Sequence, residues 1–155
     1  MKVEELMRRA VVTVRSDDPL LDAAHEMLRH GCGSVVVVDG LHRPIGMLTD
    51  RDVCLEAART DCRLSELRAE EAMHRGVHSC APEDSIEAAE QKMARHRVRR
   101  LPVVGASGRL EGLLSLDDLA GEAWRERGLF APPVSASGVG RTLGESNRPR
   151  LVERP

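Results

Sequence analysis

Apolar residues follow two spacings along the chain, one typical of helices and one typical of buried strands. An apolar stripe recurs every three or four positions in the segment beginning at Leu20, which predicts a half-buried helix. The continuous run SVVVV, starting at Ser34, predicts a strand covered on both faces. A turn containing Gly40 follows, and IGML after it predicts the second strand of a hairpin. This part of the chain therefore encodes a helix followed by a hairpin.

The same order of elements occurs twice. The chain aligns with itself without a gap at an offset of 66 residues. The matched pairs are Met7 with Met73, Thr13 with Ser79, Asp18 with Asp84, Ala23 with Ala89, Met27 with Met93, His30 with His96, Gly46 with Gly112, Thr49 with Ser115 and Asp52 with Asp118. An internal repeat of this length indicates two copies of one structural unit. Each unit is predicted to run strand, helix, strand, strand, helix, which gives an α+β fold class with two β-α-β-β-α repeats.

The boundaries of the units follow from the alignment. The first repeat is predicted over 1–62 and the second over 63–127, with a linking helix at about 63–72 whose leucines dock on the core. The first strand of each unit is predicted at 11–14 and 77–80, and the following helices are predicted to be capped by Asp18 and Asp84. The remaining segment, 128–155, is rich in Gly, Pro, Ser and Arg and is predicted to be mostly disordered.

Composition narrows the classes of function. With 155 residues and 41% apolar residues, the chain can bury a core. Lys and Arg number 23 against 25 Asp and Glu, and one Trp, one Phe and no Tyr are present. This balance disfavours a nucleic-acid partner. No apolar run suits a membrane span or a signal peptide, so we expect no membrane partner and a cytoplasmic location. The four cysteines form no C-x-x-C pair and are expected to be reduced.

Two short motifs carry the candidate chemistry: GMLTDRD at 46–52 and GLLSLDD at 112–118. Thr49 with Asp52, and Ser115 with Asp118, have the spacing of a helix capping box. A hydroxyl and a carboxylate at a helix start are also suited to a ligand that carries vicinal hydroxyls and phosphate. Both interpretations fit the residues, and one side chain can serve both.

The duplicated pattern G-h-x-[T/S]-x-x-[D/N], where h is apolar, together with the upstream segment VRRLPVV, resembles a tandem pair of CBS domains, named after cystathionine β-synthase. The likeness covers about residues 3–125. It implies two repeats that pack sheet against sheet about a pseudo-two-fold axis, with two clefts between them. It also implies a regulatory module rather than an enzyme, binding AMP, ADP, ATP, S-adenosylmethionine or sometimes NAD, and needing no further cofactor.

The resemblance assigns a role to individual positions. Asp52 and Asp118 would accept hydrogen bonds from ribose hydroxyls, and Thr49 and Ser115 would contact phosphate or ribose oxygens. It further implies crossed sites, in which each Asp faces the first strand of the other repeat. The complete ligand-binding set comprises Thr13, Ser34, Gly46, Met47, Thr49, Asp52, Ser79, Arg99, Arg100, Gly112, Leu113, Ser115 and Asp118.

The two repeats differ at the positions suited to phosphate. The second carries Arg99 and Arg100, whereas the first has Gly33 and Ser34. Arg binds phosphate bidentately, so the two clefts are expected to differ in charge. The two glycines of the motifs, Gly46 and Gly112, are expected to let a ligand approach the backbone closely.

Other features have competing interpretations. The run RHRVRR at 95–100 suits a phosphate site, a solvated helix end or, less well, a nucleic-acid patch. A metal site from His74, His78 and Cys80 matches no recurrent zinc spacing and is disfavoured. Cys80 and Cys32 align with apolar residues and are expected in the core. His30 and His96 are expected at helix ends, in capping or solvent roles rather than catalysis.

These observations favour a stand-alone regulatory sensor that binds an adenosine-containing ligand, forms a homodimer and signals to a protein partner that the sequence does not identify. The alternative is a scaffold or oligomerisation module whose clefts hold no ligand, which the unequal clefts favour. An enzyme is disfavoured because the sequence has no nucleophile elbow, Walker phosphate loop or metal constellation.

Overall fold

A computed structural model describes residues 1–125, 138–140 and 143–144. After the short helix α1 (Val3–Leu6), the first repeat consists of β1 (Thr13–Arg15), α2 (Leu20–His30), β2 (Ser34–Val38), β3 (Pro44–Thr49) and α3 (Asp50–Thr60). The second repeat follows as α4 (Ala69–Ala72), β4 (His74–Arg75), α5 (Ile86–His96), β5 (Arg100–Val104), β6 (Leu110–Ser115) and α6 (Leu116–Arg125). The predicted α+β fold with two repeats is confirmed.

The two sheets have the same strand order. In the first, β1 runs parallel to β2, and β3 pairs antiparallel with both β2 and β4. In the second, β5 pairs with β6 and is flanked by isolated bridges, Cys80 with Val103 and Arg8 with Leu113. The strand predicted over 77–80 is therefore wrong in extent, since only Cys80 of that segment joins the sheet.

The repeats exchange their leading segments, which are α1 with the residues up to Arg8 in the first repeat and α4 with its flanking residues from Leu67 to His74 in the second. Val3 and Met7, from the start of the chain, belong to the core of the second repeat, while Leu67 and Met73 belong to the core of the first. Equivalent backbone hydrogen bonds fix the exchange: Val3 N–H donates to the carbonyl of Asp84 at 2.9 Å, and Ala69 N–H donates to that of Asp18 at 2.9 Å. Buried Leu67 and half-buried Leu64 confirm the predicted docking of the linker. The linking helix predicted at about 63–72 is shorter, since only α4 is helical there.

A third apolar cluster joins the two sheets. Val36 and Val38 of β2 pack with Leu110 of β6, and half-buried Met47 and Leu113 surround them. Because burial of apolar surface is the main stabilising term, this cluster holds one repeat against the other. The sheets therefore face each other, as the resemblance implies.

The predicted helix caps at Asp18 and Asp84 are wrong. Each carboxylate closes the turn before the helix, accepting from the N–H of Arg15 at 2.7 Å and of Ala81 at 3.0 Å. The residue that caps α5 is Ser85, and the N-cap position of α2 is Pro19, which provides no side-chain cap. Asp three residues into such a turn competes for local N–H groups, so spacing alone misplaces the helix start by one residue.

Cys80 is buried in the second core, and Cys32 is half-buried against the first, which confirms their predicted packing role. All four cysteines are free thiols. Burial raises the pKa of Cys80 to about 11, because the thiolate is poorly solvated there.

Most of the predicted disordered segment, 128–155, lies outside the described residues. Its described parts, 138–140 and 143–144, are helical, and Val139 packs against the second core. Within the part of the chain that the structure describes, no helix has the length and apolarity to cross a membrane.

Candidate ligand clefts

Two clefts lie where the repeats meet. The cleft beside Thr49, called here the first cleft, has a volume of about 350 Å³. The cleft beside Ser115, the second cleft, has a volume of about 380 Å³. Both volumes fall within the range of small-molecule sites, about 300 to 1,000 Å³. Each cleft takes residues from both repeats, so a ligand in either one would bridge them.

The two clefts are pseudo-symmetric copies. The first is lined by Ser34, Met47, Thr49, His74, Arg75, Gly76, Val77, His78, His96, Val98, Arg99 and Arg100. The second is lined by Arg8, Ala10, Val11, Val12, His30, Gly31, Cys32, Gly33, Ser34, Arg100, Leu113, Ser115, Asp117 and Asp118. Almost every residue of the first set has a partner in the second at the offset of 66. Ser34 and Arg100, which are such partners, border both clefts.

Both motifs form the predicted capping boxes. The Thr49 N–H donates to Asp52 Oδ2 at 2.8 Å, and the Asp52 N–H donates to Thr49 Oγ1 at 3.3 Å. The Ser115 N–H donates to Asp118 Oδ2 at 3.0 Å, and the Asp118 N–H donates to Ser115 Oγ at 3.2 Å. Thr49 and Ser115 therefore stand at the starts of α3 and α6 and at the edges of the two clefts.

The other oxygen of each carboxylate contacts the exchanged segment. Asp52 Oδ1 lies 2.9 Å from His74 Nε2, and Asp118 Oδ1 lies 2.6 Å from Arg8 Nε. The two aspartate side chains are only 12% and 8% exposed. Since Arg8 and His74 occupy equivalent positions, each aspartate joins a helix of one repeat to the leading segment of the other. Asp118 lines the second cleft together with Ser115. In the first cleft, the corresponding capping box contributes Thr49 to the lining but not Asp52.

The glycines of the motifs have a different role from the one expected. A Cβ atom at Gly46 would lie 2.4 Å from Met73 Sδ, and one at Gly112 would lie 2.5 Å from Met7 Sδ. The space above each glycine is therefore filled by a methionine of the exchanged segment rather than left for a ligand. The glycines are required for the packing between the repeats.

The positions expected to cross over from the first strands lie elsewhere. Thr13 borders a separate depression beside Asp18 and His25, and the Ser79 carbonyl accepts a hydrogen bond from Lys92 Nζ at 2.8 Å. Residues one or two positions earlier, Val12 and His78 among them, line the clefts instead.

The clefts differ in charge, as the sequence predicts. Among the described residues that line the first cleft, none is a carboxylate, and the cations and imidazoles are Arg75, Arg99, Arg100, His74, His78 and His96. The second cleft contains both cations, Arg8 and Arg100, and the carboxylates of Asp117 and Asp118. The first cleft is therefore the more suited to an anion.

A stacked pair of histidines in the first cleft was not predicted. The rings of His78 and His96 lie with centroids 3.7 Å apart at an angle of 18°. Partial desolvation lowers the pKa of His78, and the positive charges of His96 and Lys92 lower it further. The described residues contain no cluster of three or more His, Cys, Asp or Glu side chains placed to hold a metal ion.

The family model for the CBS domain matches this chain twice, over residues 3–59 and 69–124. The chain belongs to the CBS-domain family. The two matched stretches are the two repeats described above, and the clefts are the spaces between the domains of a CBS pair.

Relatives and solved structures agree with this assignment. The CBS domain-containing protein YhcV of Bacillus subtilis is 37% identical over 119 residues, covering 76% of this chain and 82% of that protein. An uncharacterised protein of Methanopyrus kandleri is 30% identical over 119 residues, covering 77% of this chain but only 61% of its own length. The CBS domain protein PAE2072 of Pyrobaculum aerophilum, solved in complex with AMP, superposes with a TM-score of 0.68 at 27% identity, covering 77% of this chain and 90% of that one.

Proposed function

We propose that this CBS pair is a regulatory module that binds an adenosine-containing ligand in the clefts between its two domains. The observation that carries the proposal is the duplicated cleft: two equivalent spaces, each bordered by a hydroxyl at a helix start and each lined by both repeats. The AMP complex of the Pyrobaculum aerophilum protein supports the choice of ligand class.

The cleft residues suggest how a nucleotide would be held. Thr49 and Ser115 stand at the N-termini of α3 and α6, where helix N–H groups and the helix dipole favour an anion. Arg100 borders both clefts and can bind a phosphate bidentately from either side. The phosphate end of the ligand would lie near these three side chains.

The ribose would compete with contacts already made by the protein. Asp118 Oδ1 accepts from Arg8 and Oδ2 belongs to the capping box. A carboxylate oxygen has two lone pairs, so a ribose hydroxyl can share Oδ1 or displace the exposed arginine from it. Either change alters the contact between the leading segment of the chain and the second repeat. Ligand binding would thus be coupled to the packing of the two repeats.

A ligand acts as a signal only if it binds one arrangement of the repeats better than another. Because each cleft is lined by both domains, a change in their relative position changes the cleft itself. We propose that a protein partner reads this arrangement, and that catalysis is not part of the role of the module.

Isothermal titration calorimetry and thermal shift with AMP, ADP, ATP, S-adenosylmethionine and NAD test the proposal. A ligand that binds only the folded state adds about 2.7 kcal/mol of stability at a hundredfold excess over its Kd. Arg100→Gln should weaken binding in both clefts, and Arg109→Gln, an exposed substitution in the β5–β6 turn, serves as the control. If none of the five compounds binds the folded wild-type protein, the proposal fails.

We also propose that the protein is a homodimer. An apolar groove runs between α2 and α3 and is lined mainly by apolar side chains, among them Met27, Val53 and Ala57. Leu28 on its rim is 81% exposed and Leu55 on α3 is 55% exposed. A second copy of the chain would cover this surface. Sedimentation equilibrium should show a dimer, and Leu28→Glu should yield a monomer of unchanged fold.

The second candidate function is a scaffold without ligand. It is favoured by the two aspartates, whose carboxylates are nearly buried and already bonded to the protein at both oxygens. A dimer that binds none of the adenosine compounds would support this function over the first.

A further inference from the structure

The stacked histidines occupy a cationic environment. His96 ends α5, and His78 lies in the segment between β4 and α5. On α5, Lys92 also faces this segment, with its ammonium bonded to the Ser79 carbonyl and lying 3.9 Å from Asp84 Oδ2. Two parallel imidazoles this close repel each other when both are protonated. An anion beside them offsets that repulsion.

The other elements around the first cleft supply more cations. Arg75 comes from β4, where it lies 3.6 Å from Glu70 Oε2, Arg100 begins β5 and Arg99 directly precedes it. His74 is bonded to Asp52, so that carboxylate is already engaged. The wall formed by β2 and β3 contributes only the uncharged Ser34, Met47 and Thr49. All the charged groups lining the first cleft are thus cationic or can become so.

The second cleft lacks this arrangement at equivalent positions. Val12 stands where the first cleft has His78, and Gly33 stands where it has Arg99. His30, the counterpart of His96, lies 3.3 Å from the carboxylate of Glu26. The exposed Asp117 adds a negative charge to the second cleft.

From this contrast we propose that His78, His96, Arg75, Arg99 and Arg100 form a polyphosphate subsite that takes up protons when it binds. The first cleft would therefore take the di- or triphosphate end of a nucleotide. The second cleft would take a ligand of lower charge. The inference rests on the proposed function for the adenosine part of the ligand, whereas the phosphate subsite depends only on the cations.

The proton linkage has a definite sign. The pKa of His78 is lowered in the free protein, so its ring is mostly neutral at neutral pH. A bound polyphosphate favours the charged ring and raises that pKa. Binding therefore takes up protons, and affinity rises as the pH falls, by at most about tenfold per pH unit for each proton.

Calorimetry measures both affinity and proton uptake. The ligands are ATP, adenosine and inorganic tripolyphosphate, and each is titrated at about pH 7.5 and about pH 6 in buffers of different ionisation enthalpy. The wild type is compared with His78→Gln/His96→Gln and with His25→Gln, which replaces an exposed histidine outside both clefts. Arg99→Gln is a second test variant that leaves the histidine stack in place. Each variant is first checked for an unchanged melting temperature at about pH 7.5.

We expect ATP to bind the wild type with proton uptake, and the double histidine variant to lose that uptake and bind about tenfold or more weakly at about pH 6. His25→Gln should behave as the wild type. ATP binding that is unchanged in both the histidine variant and Arg99→Gln overturns the inference but leaves the proposed function standing. Tripolyphosphate that binds with histidine-dependent uptake, while no adenosine compound binds, supports the subsite and overturns the proposed function.

Discussion

The two clefts have the same framework but different linings. Capping boxes, glycine–methionine contacts and the bonds between aspartate and leading segment recur at equivalent positions in both. Side chains that face the open space differ: a histidine and an arginine in the first cleft replace a valine and a glycine in the second. Duplication has thus preserved the residues that hold the repeats together, while the lining residues have been free to diverge.

The framework itself is not perfectly symmetric, and substitution of its glycines is expected to change the free energy of unfolding the most. The atoms nearest to a Cβ at Gly112 include the Arg8 carbonyl oxygen at 3.1 Å besides Met7 atoms, whereas the three atoms nearest to a Cβ at Gly46 all belong to the Met73 side chain. Backbone yields less readily than a flexible methionine. Gly112→Ala should lower the free energy of unfolding by about 2–3 kcal/mol, and Gly46→Ala by about 1 kcal/mol.

Urea unfolding followed by circular dichroism measures both values. Gly40→Ala is the matched control, because nothing lies within 4 Å of a Cβ at that position and its φ is not positive. Equal losses for Gly46→Ala and Gly112→Ala would show that the Arg8 carbonyl can move aside as easily as the methionines.

The aspartates are the next test of symmetry. Replacing either by Ala removes a capping box, which should cost about 1–2 kcal/mol. Asp118→Ala should cost more, by less than about 1 kcal/mol, because its partner Arg8 is always charged, whereas His74 is charged only when protonated. Thermal unfolding at about pH 8 makes the comparison, with the exposed Asp117→Ala as the control. A larger loss for Asp52→Ala would contradict this account.

The sequence is sufficient to predict the order of elements and the capping boxes, because these features are local or repeated. The capping boxes need only three-residue spacing, and the repeat of 66 residues defines the order of elements. The exchange of α1 and α4 between the repeats leaves no local signal, since Val3 and Leu67 would be apolar in either core.

The residues that line the clefts are harder to predict, because contacts between segments distant in sequence leave no local signal. His78 and His96 are brought together by the chain path around α5, and no spacing rule links them. The sequence alone assigns the glycines to ligand contact, because the packing of Met7 and Met73 above them depends on the exchanged segments. The predicted positions Thr13 and Ser79 lie one or two residues later along the chain than the residues that line the clefts.

The pH dependence of stability should show a smaller effect, which arises from His78 in the first cleft. Because the pKa of His78 is lowered on folding, the unfolded chain binds more protons below about pH 6.5, and stability is lost as the pH falls through that value. The melting temperature in chloride buffer should fall less steeply with acid in His78→Gln than in the wild type. His25→Gln, an exposed histidine outside both clefts, should leave the slope unchanged. Identical slopes for wild type and His78→Gln would contradict the desolvation argument.

The smallest expected effect is on the rate of cysteine alkylation, which can show whether one particular cleft is occupied. Cys32 lines the second cleft, and its counterpart in the first is Val98. In a Cys54→Ser/Cys62→Ser background, Cys32 is the accessible thiol, since Cys80 is buried. A ligand in the second cleft should slow its alkylation by only about threefold, because the half-buried thiol is already partly shielded before a ligand binds.

Exchanging the two side chains, Cys32→Val with Val98→Cys, moves the reporter to the first cleft without changing the rest of the lining. If the clefts select ligands by charge, ATP should protect position 98 more than position 32, and S-adenosylmethionine should do the reverse. Mass spectrometry of the alkylated chain gives both rates. Equal protection of the two positions by both ligands would mean that the shared Ser34 and Arg100, rather than the side chains that differ, determine what each cleft binds.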